Sequence, residues 1–376
     1  TRRGSLGTLE YLPAAHRSAM LGGMPPFRQP TFDYHLDVDR ELRALRKYSS
    51  LPGKEDRQIP ERGEDRLLVA TWNIANLGVQ KREDDHYRLL AEIVGWFDLI
   101  ALQEVNDNLV GLRAIIEHLP SRYRVLFNDA GGNDERFAFV YDSRKVGVRE
   151  EIGELTVAAK DLPKVKLKDI PARFVGFDRN PMLASFRVND MDLVLAGVHL
   201  YFGDSRPPGL PDDEAEATTT NPAARARAEQ RKEPPPAAGM DRRVLEAFAV
   251  ARWAEQRERN ENAYTANVIA LGDYNLPVHA PGDRVYDALT KKGLRLPPHS
   301  TRVGGSNIND DAHYDQMAVL PGAIHDAIEE LGIFDFDGAL FADLFGGGTK
   351  AEVKRFREYM RYYVSDHRPL WMSLKL

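Results

Sequence analysis

The sequence predicts an α/β fold in which two packed sheets form the core and helices cover the outside. Two observations carry this. Short apolar runs of strand length recur from Leu67 to the C-terminus, and only a few longer stretches between them have helical apolar spacing. Many strands mixed with few helices call for sheets packed face to face beneath helices.

The elements follow in order. Residues 1–64 are polar and punctuated by Pro and Gly, with a helical patch around Asp39 to Tyr48. They read as an arm or partly ordered extension preceding a domain over residues 65–376. The first buried strand is Leu67-Leu68-Val69-Ala70-Thr71-Trp72. Leu89, Leu90, Ile93, Val94 and Phe97 then keep a helical period, and Asp98–Leu102 is the second buried strand. Further strands are predicted at Tyr123–Phe127, Phe137–Tyr141, Met182–Val188, Asp192–His199, Asn267–Leu271, Asp315–Leu320 and Leu370–Leu374. Helices are predicted near Asn108–His118, Asp241–Arg259 and Ala351–Tyr362. Residues 205–240 are Pro-rich, Thr-rich and charged, a composition that cannot build a core, and read as an inserted surface loop.

Composition narrows the function classes. The chain has 376 residues and no cysteine, which excludes disulfides, thiolate zinc sites and a cysteine nucleophile. A hydrophobic content of 43% with 29% charged residues is that of a soluble globular protein. No apolar run approaches the ~18 residues of a membrane span. The net charge of −6 gives no support to a strongly basic nucleic-acid binder, although a local positive groove is compatible with it. No apolar signal core follows Thr1-Arg2-Arg3-Gly4, and the compartment stays open between cytoplasm and secretion. No obligate protein partner is evident.

The polar clusters carry the chemistry. Ser365-Asp366-His367-Arg368-Pro369 leads into the last strand, and an acid beside a histidine can hold a hard cation and handle a proton. Four more clusters close predicted strands: Trp72-Asn73, Gln103-Glu104, His199, and Gly272-Asp273-Tyr274-Asn275. Each alone is also an ordinary turn or rim residue. Together, at successive strand tips, they suit a site on a rigid scaffold. If the tips converge, Glu104 and Asp366 can hold Mg²⁺ or Mn²⁺ through oxygen.

The ordered set Thr71-Trp72-Asn73, Gln103-Glu104-Val105, Gly272-Asp273-Tyr274-Asn275 and Ser365-Asp366-His367 resembles the endonuclease/exonuclease/phosphatase superfamily over about residues 65–376. Within it the chain is most similar to deoxyribonuclease I-like nucleases, through Glu135-Arg136-Phe137-Ala138-Phe139-Val140-Tyr141, Arg179-Asn180-Pro181 and Tyr314-Asp315-Gln316-Met317. The resemblance implies a four-layered α/β sandwich of two packed, mostly antiparallel sheets flanked by helices, with a Mg²⁺-dependent phosphoesterase site at one end. It implies two dyads, His199 with Glu135 and His367 with Asp315. It assigns Glu104 and Asp366 to metal with Asn73 beside them. Asp273 and Asn275 would orient water and phosphate, Asn73 would also lie against the phosphate, and Arg179 would stabilise its charge. Asn106 and Asn133 depart from the family pattern at DNA-contacting positions.

The expected activity is metal-dependent phosphodiester hydrolysis, with DNA or RNA as substrate. Two basic segments support a nucleic acid: Arg225, Arg227, Arg231 and Lys232, and Lys354-Arg355-Phe356-Arg357 with Tyr359, Tyr362 and Tyr363. A phosphatase or lipid phosphodiesterase acting on inositol phosphates or sphingomyelin is the alternative, and a silent fold member that only binds a partner is the third reading. Gly346-Gly347-Gly348-Thr349-Lys350 lacks the spacing of a phosphate loop and reads as a turn. His313, close to Asp310, Asp311 and Asp315, reads as a loop histidine rather than a metal ligand.

Overall fold

A computed structural model describes residues 27–50, 59–203, 235–299 and 305–376. One sheet contains β1 (Arg66–Leu77), β2 (Leu99–Asn106), β3 (Tyr123–Phe127), β4 (Glu135–Asp142), β10 (Ile328–Ile333) and β11 (Leu370–Lys375), in the order β10-β11-β1-β2-β4-β3. The other contains β5 (Gly147–Glu154), β6 (Met182–Val188), β7 (Met191–His199), β8 (Val268–Asp273) and β9 (Asp315–Val319), in that order. Only β1–β2 and β7–β8 pair in parallel; the other neighbours are antiparallel.

Alternation along each strand builds the layers. Leu67 and Val69 of β1 face Leu195 of β7 and Ile269 of β8 in the core between the sheets. Leu68, Ala70 and Trp72 face the opposite way, beneath α1 (Val38–Ser49), α2 (Asp84–Val94), α3 (Val110–His118) and the C-terminal helix. On the second sheet, Ala196, Val198 and Ala270 point out beneath α4 (Gly239–Glu258) and α5 (Arg284–Thr290). Two further short helices, α6 (Ala323–Ala327) and α7 (Ala342–Phe345), precede the C-terminal α8 (Lys350–Tyr363). Helix, sheet, sheet and helix therefore stack as four layers. Among the described residues no helix is long and apolar enough to cross a membrane.

Within the stretch 1–64, α1 packs into the first outer layer. Asp37 caps it by accepting the Arg40 N–H at 3.0 Å. Leu42 and Leu45 are buried, and the Tyr48 hydroxyl reaches Asp335 at 3.2 Å. The predicted arm thus includes an anchored helix.

Two strands escaped the sequence pattern. β5 (GVREEIGE) is an edge strand with mostly polar, exposed or half-buried positions, and β10 (IEELGI) is the edge of the other sheet. Neither has the apolar alternation that betrays a strand with one face in the core. β1 and β2 also run past the polar residues at which the sequence ended them, to Leu77 and Asn106.

One buried group of the outer layer makes a stability prediction. His86 on α2 is 2% exposed; its Nδ1 accepts the Glu83 N–H at 3.2 Å and its Nε2 lies 2.9 Å from the Tyr359 hydroxyl. Burial, helped by Arg82, pulls its pKa from 6.5 to about 4. Above pH 6.5 the ring is neutral in both states and costs nothing. Between 6.5 and 4 the unfolded chain takes the proton first, so stability is lost as the pH falls. At 1.36 kcal/mol per pKa unit the loss is at most about 3 kcal/mol. Urea denaturation of the wild type and His86→Phe at pH 7 and pH 4.5 should show a gap that changes by about 2 kcal/mol or more between the two pH values; a constant gap would remove His86 as the cause.

Candidate active site

The site lies at the C-terminal ends of the two parallel strand pairs, where an α/β sheet opens its crevice. On the second sheet the register sets three candidate side chains in one row: His199 of β7 pairs with Asp273 of β8, and Asp273 pairs with Asp315 of β9. On the first sheet Asn73 of β1 pairs with Gln103 of β2. His367 lies three residues before Leu370, the first residue of β11, whose partner on β1 is Thr71.

Backbone irregularities aim these groups. The β1–β2 register shifts between Asn73 and Leu77, and the β2–β4 register shifts between Leu102 and Val105. Such bulges re-aim side chains. Glu104 takes a left-handed conformation at φ 57° and Asn76 another at 50°, each held against a cost of roughly 1–2 kcal/mol. The Glu104 carboxylate repays part of this: its Oε1 accepts the Asn73 side-chain amide at 2.9 Å and its Oε2 the Asn76 N–H at 2.7 Å. After β8, Asn275 is also left-handed at φ 48°. Its N–H donates to Asp273 Oδ1 at 2.7 Å and its side-chain amide to the Leu200 carbonyl at 3.0 Å.

Two imidazoles flank one carboxylate oxygen. His367 Nδ1 is 2.9 Å from Asp315 Oδ2, and its Nε2 is 3.8 Å from Asp273 Oδ2. His199 Nδ1 is 3.0 Å from Glu135 Oε2, out of line for a hydrogen bond, and its Nε2 is 3.7 Å from the same Asp273 Oδ2. Asn73 ties this centre to Glu104, since its amide also donates to Asp273 Oδ2 at 3.1 Å. Each ring has a carboxylate behind it and Asp273 in front.

The charges settle accordingly. Burial pushes the His367 imidazole down, but Asp315 and Asp273 outweigh it and hold the ring well above the usual histidine range. Burial and Arg179 depress His199, while Glu135 and Asp273 reverse the sign and raise it. Burial would raise Asp273, yet the two histidines keep it below the usual carboxylate range. Glu104 goes the other way: burial raises it, and so do Glu135 and Asp366.

That crowding of acids is what a hard divalent cation relieves. Asn73 Oδ1 is buried without a hydrogen-bond partner, because its amide nitrogen serves both Glu104 and Asp273. Asp366 is half-buried and close enough for its charge to act on Glu104 and His367. An all-oxygen set of Glu104, Asp366 and Asn73 fits Mg²⁺ or Mn²⁺. Asp273, Asp315 and His367 also each offer an atom within 4.8 Å of the others, a second group able to hold a cation.

Arg179 departs from the sequence expectation. Its guanidinium is buried and turned to protein groups: Glu135 at 3.1 Å and the carbonyls of His199 and Leu200 at 3.2 and 3.1 Å. It locks the His199–Glu135 pair in place rather than presenting a free fork to a phosphate.

Supporting residues without an isolated sequence signal complete the site. The Ser365 hydroxyl donates to the Asn73 carbonyl at 2.7 Å and accepts the Ala75 and His367 N–H groups at 3.2 and 3.0 Å. The Trp72 indole donates to the His367 carbonyl at 2.8 Å. Arg243 of α4 donates to the carbonyls of Tyr201 and Asn275 at 2.9 and 3.2 Å. In sequence Arg243 looks like any charge on a helix surface.

The basic segments fare differently. Arg225, Arg227, Arg231 and Lys232 lie outside the described residues. On α8, Phe356, Tyr359 and Tyr362 are buried, so the aromatics face the core and do not alternate with the basic residues on an open platform. The 3.6-residue period, with the Thr349 cap and Glu352 closing a capping box, makes this an amphipathic packing helix.

No family model and no curated protein matches the chain. Solved structures do resemble it. An endonuclease/exonuclease/phosphatase family protein from Bacteroides thetaiotaomicron is 18% identical, covering 82% of this chain and 97% of its own, with a TM-score of 0.46. A mannosyl-6-phosphatase from the same organism is 17% identical over 82% and 100%, also at 0.46. D. rerio TDP2 complexed with single-strand DNA product is 14% identical over 83% and 99%, at 0.47. The two packed sheets with helices outside are the architecture that the resemblance to this superfamily implied. Likenesses of this size leave the chemistry to the side chains themselves.

Proposed function

We propose that the protein is a divalent-metal-dependent nuclease that hydrolyses phosphodiester bonds in DNA or RNA by in-line attack of water. One observation carries the reading: His199 and His367, each backed by a carboxylate, converge on the same oxygen of Asp273.

Hydrolysis of a phosphodiester needs an oriented water, relief of charge on the non-bridging oxygens and a proton for the leaving oxygen. Asp273, held below its usual pKa, is an ionised acceptor able to orient the water and take its proton. His367 and His199, raised by their carboxylates, are poised as cations to hydrogen-bond phosphate oxygens and to protonate the departing one. Asn275, fixed by its bond to Leu200, lies beside Asp273 as a further polar contact for the phosphate. A Mg²⁺ or Mn²⁺ ion held by Glu104 and Asp366 with Asn73 would supply charge neutralisation at the phosphate. The reaction is then a single displacement: the water activated at Asp273 forms the new P–O bond as the leaving oxygen departs with a proton from a histidine.

Phe202 gives a base-bearing substrate a contact that an inositol phosphate cannot use. It is 50% exposed three residues after His199, with the Arg243 guanidinium 5.5 Å over its ring. An exposed aromatic at the rim offers a face on which a nucleobase can stack. Supercoiled plasmid should be nicked in Mg²⁺, with nicking abolished by chelator and weakened by added salt. Release of phosphate from inositol phosphates, or of phosphocholine from sphingomyelin, without any nicking would move the protein to the lipid or phosphatase class.

A further inference from the structure

Three histidines that the hydrolytic chemistry does not use meet beside the active site. His279 follows the Asp273–Asn275 turn, His299 follows the short segment at Leu294–Leu296, and His313 lies two residues before Asp315. Their ring centroids are 5.1 Å apart for His279–His299, 5.7 Å for His299–His313 and 6.1 Å for His279–His313. We propose that His279, His299 and His313 form a second metal site, built for Zn²⁺ or a similar borderline transition ion and distinct from the oxygen-lined catalytic centre.

The spacing is that of imidazoles round one ion. A Zn–N bond of about 2.0–2.1 Å puts a ring centre about 3.2 Å from the metal, so two rings at tetrahedral or trigonal angles have centres about 5–5.5 Å apart. The three observed separations lie at or within about an ångström of that value. The nitrogens are not yet at ligand spacing: Asp273, Asp315 and His367 are the only described residues that reach it. Metal entry would therefore have to turn at least one ring about χ2, which moves its nitrogens while leaving the centroid nearly in place.

Two orphaned atoms point to a missing partner. His299 Nε2 and His313 Nδ1 are buried and make no hydrogen bond, a state that native interiors avoid. The Gln316 side chain lies against the His299 ring. Gln316 is itself anchored by donating to the His313 carbonyl at 2.8 Å. The His279 ring lies against the Leu296 backbone. Burial and then the neighbouring rings pull His299 down to about 3, so its imidazole is neutral and ready to bind a metal.

The acids near His313 in sequence are engaged elsewhere. Asp310 pairs with Arg368, Asp311 accepts the Asn307 amide at 2.6 Å, and Asp315 faces His367. A nitrogen-only donor set selects Zn²⁺, Co²⁺, Ni²⁺ or Cu²⁺ over Mg²⁺, with a fourth position left for water. An ion here would clamp the segment after Asp273 and Asn275 to the one leading into Asp315.

The test uses Co²⁺ as a spectroscopic probe, added to the full chain in saturating Mg²⁺ and followed by visible absorption and calorimetry. One equivalent should bind with the intense visible bands of a four-coordinate site. Loss of a ligand in His299→Ala or His279→Ala should weaken binding by more than about a hundredfold, since even second-shell changes cost 10–100-fold. His279, the more peripheral ring, keeps the test open if His299→Ala fails to fold. His367→Ala should bind Co²⁺ as the wild type does. Absence of Co²⁺ binding, equal binding in His279→Ala and His299→Ala, or loss confined to His367→Ala would overturn the proposal.

Discussion

His367→Ala is expected to lower turnover at least about a hundredfold, and Asp273→Ala at least as far, the scale of losing a positioned acid or base. The two changes act on one contact, because His367 Nε2 faces Asp273 Oδ2 at 3.8 Å while Asp315 holds the ring from behind at 2.9 Å. Removing the ring also strands the buried Asp315 carboxylate, a cost of 1–3 kcal/mol or more. His367→Asn separates the two effects: its amide takes the place of Nδ1 and can still donate to Asp315 but cannot carry a proton, so stability should recover while turnover stays low. The pH profile gives a second readout. Asp315 and Asp273 raise His367 well above 6.5, so the cationic form survives to higher pH than for an ordinary histidine. The alkaline limb of the rate profile should therefore fall at that higher pH, and Asp315→Asn should draw it back toward acid. Near-normal rates in His367→Ala or Asp273→Ala would dismiss the two-histidine centre.

Why some of this was legible and some not follows from where each residue sits. Leu67–Trp72 and Asp192–His199 announce themselves because both faces of a central strand are buried, one under helices and one between the sheets. β5 and β10 are edges with little apolar surface and leave no such trace. Asn73, Glu104, His199, Asp273 and Asp366 stand out as polar groups at the ends of apolar strands. Glu135 and Asp315 open their strands and were reached only through the family resemblance; the register row His199–Asp273–Asp315 is a product of pairing that no local pattern encodes. The bulge at Glu104 was invisible because a left-handed glutamate carries no compositional mark. The basic and aromatic residues of α8 misled for the opposite reason. Their composition suits nucleic acid, but the helical period buries the rings.

Among the described glycines, Gly272→Ala should be the most damaging single-methyl change. Gly272 adopts φ +144°, and a Cβ there would lie 1.9 Å from the Val198 carbonyl oxygen, with the Val198 carbonyl carbon at 2.8 Å. The obstacle is backbone of the paired strand and cannot rotate aside, since Val198 and Gly272 are partners in the β7–β8 ladder. The expected loss is about 4 kcal/mol, combining 1–3 for the backbone conformation and 1–3 for overpacking. Gly293→Ala is the matched control. Its φ is +100° but nothing lies within 4 Å of an added Cβ, so it should lose only about 1–2 kcal/mol, from conformation alone. Where Gly272→Ala still folds, β7 and β8 must part at the rung next to the His199–Asp273 pair. Turnover should then fall with stability, because the 3.7 Å approach of His199 to Asp273 depends on that rung. Equal destabilisation of the two variants in urea, with Gly272→Ala fully active, would mean that the strands do not press together here and that the His199–Asp273–Asp315 row is not set by this contact.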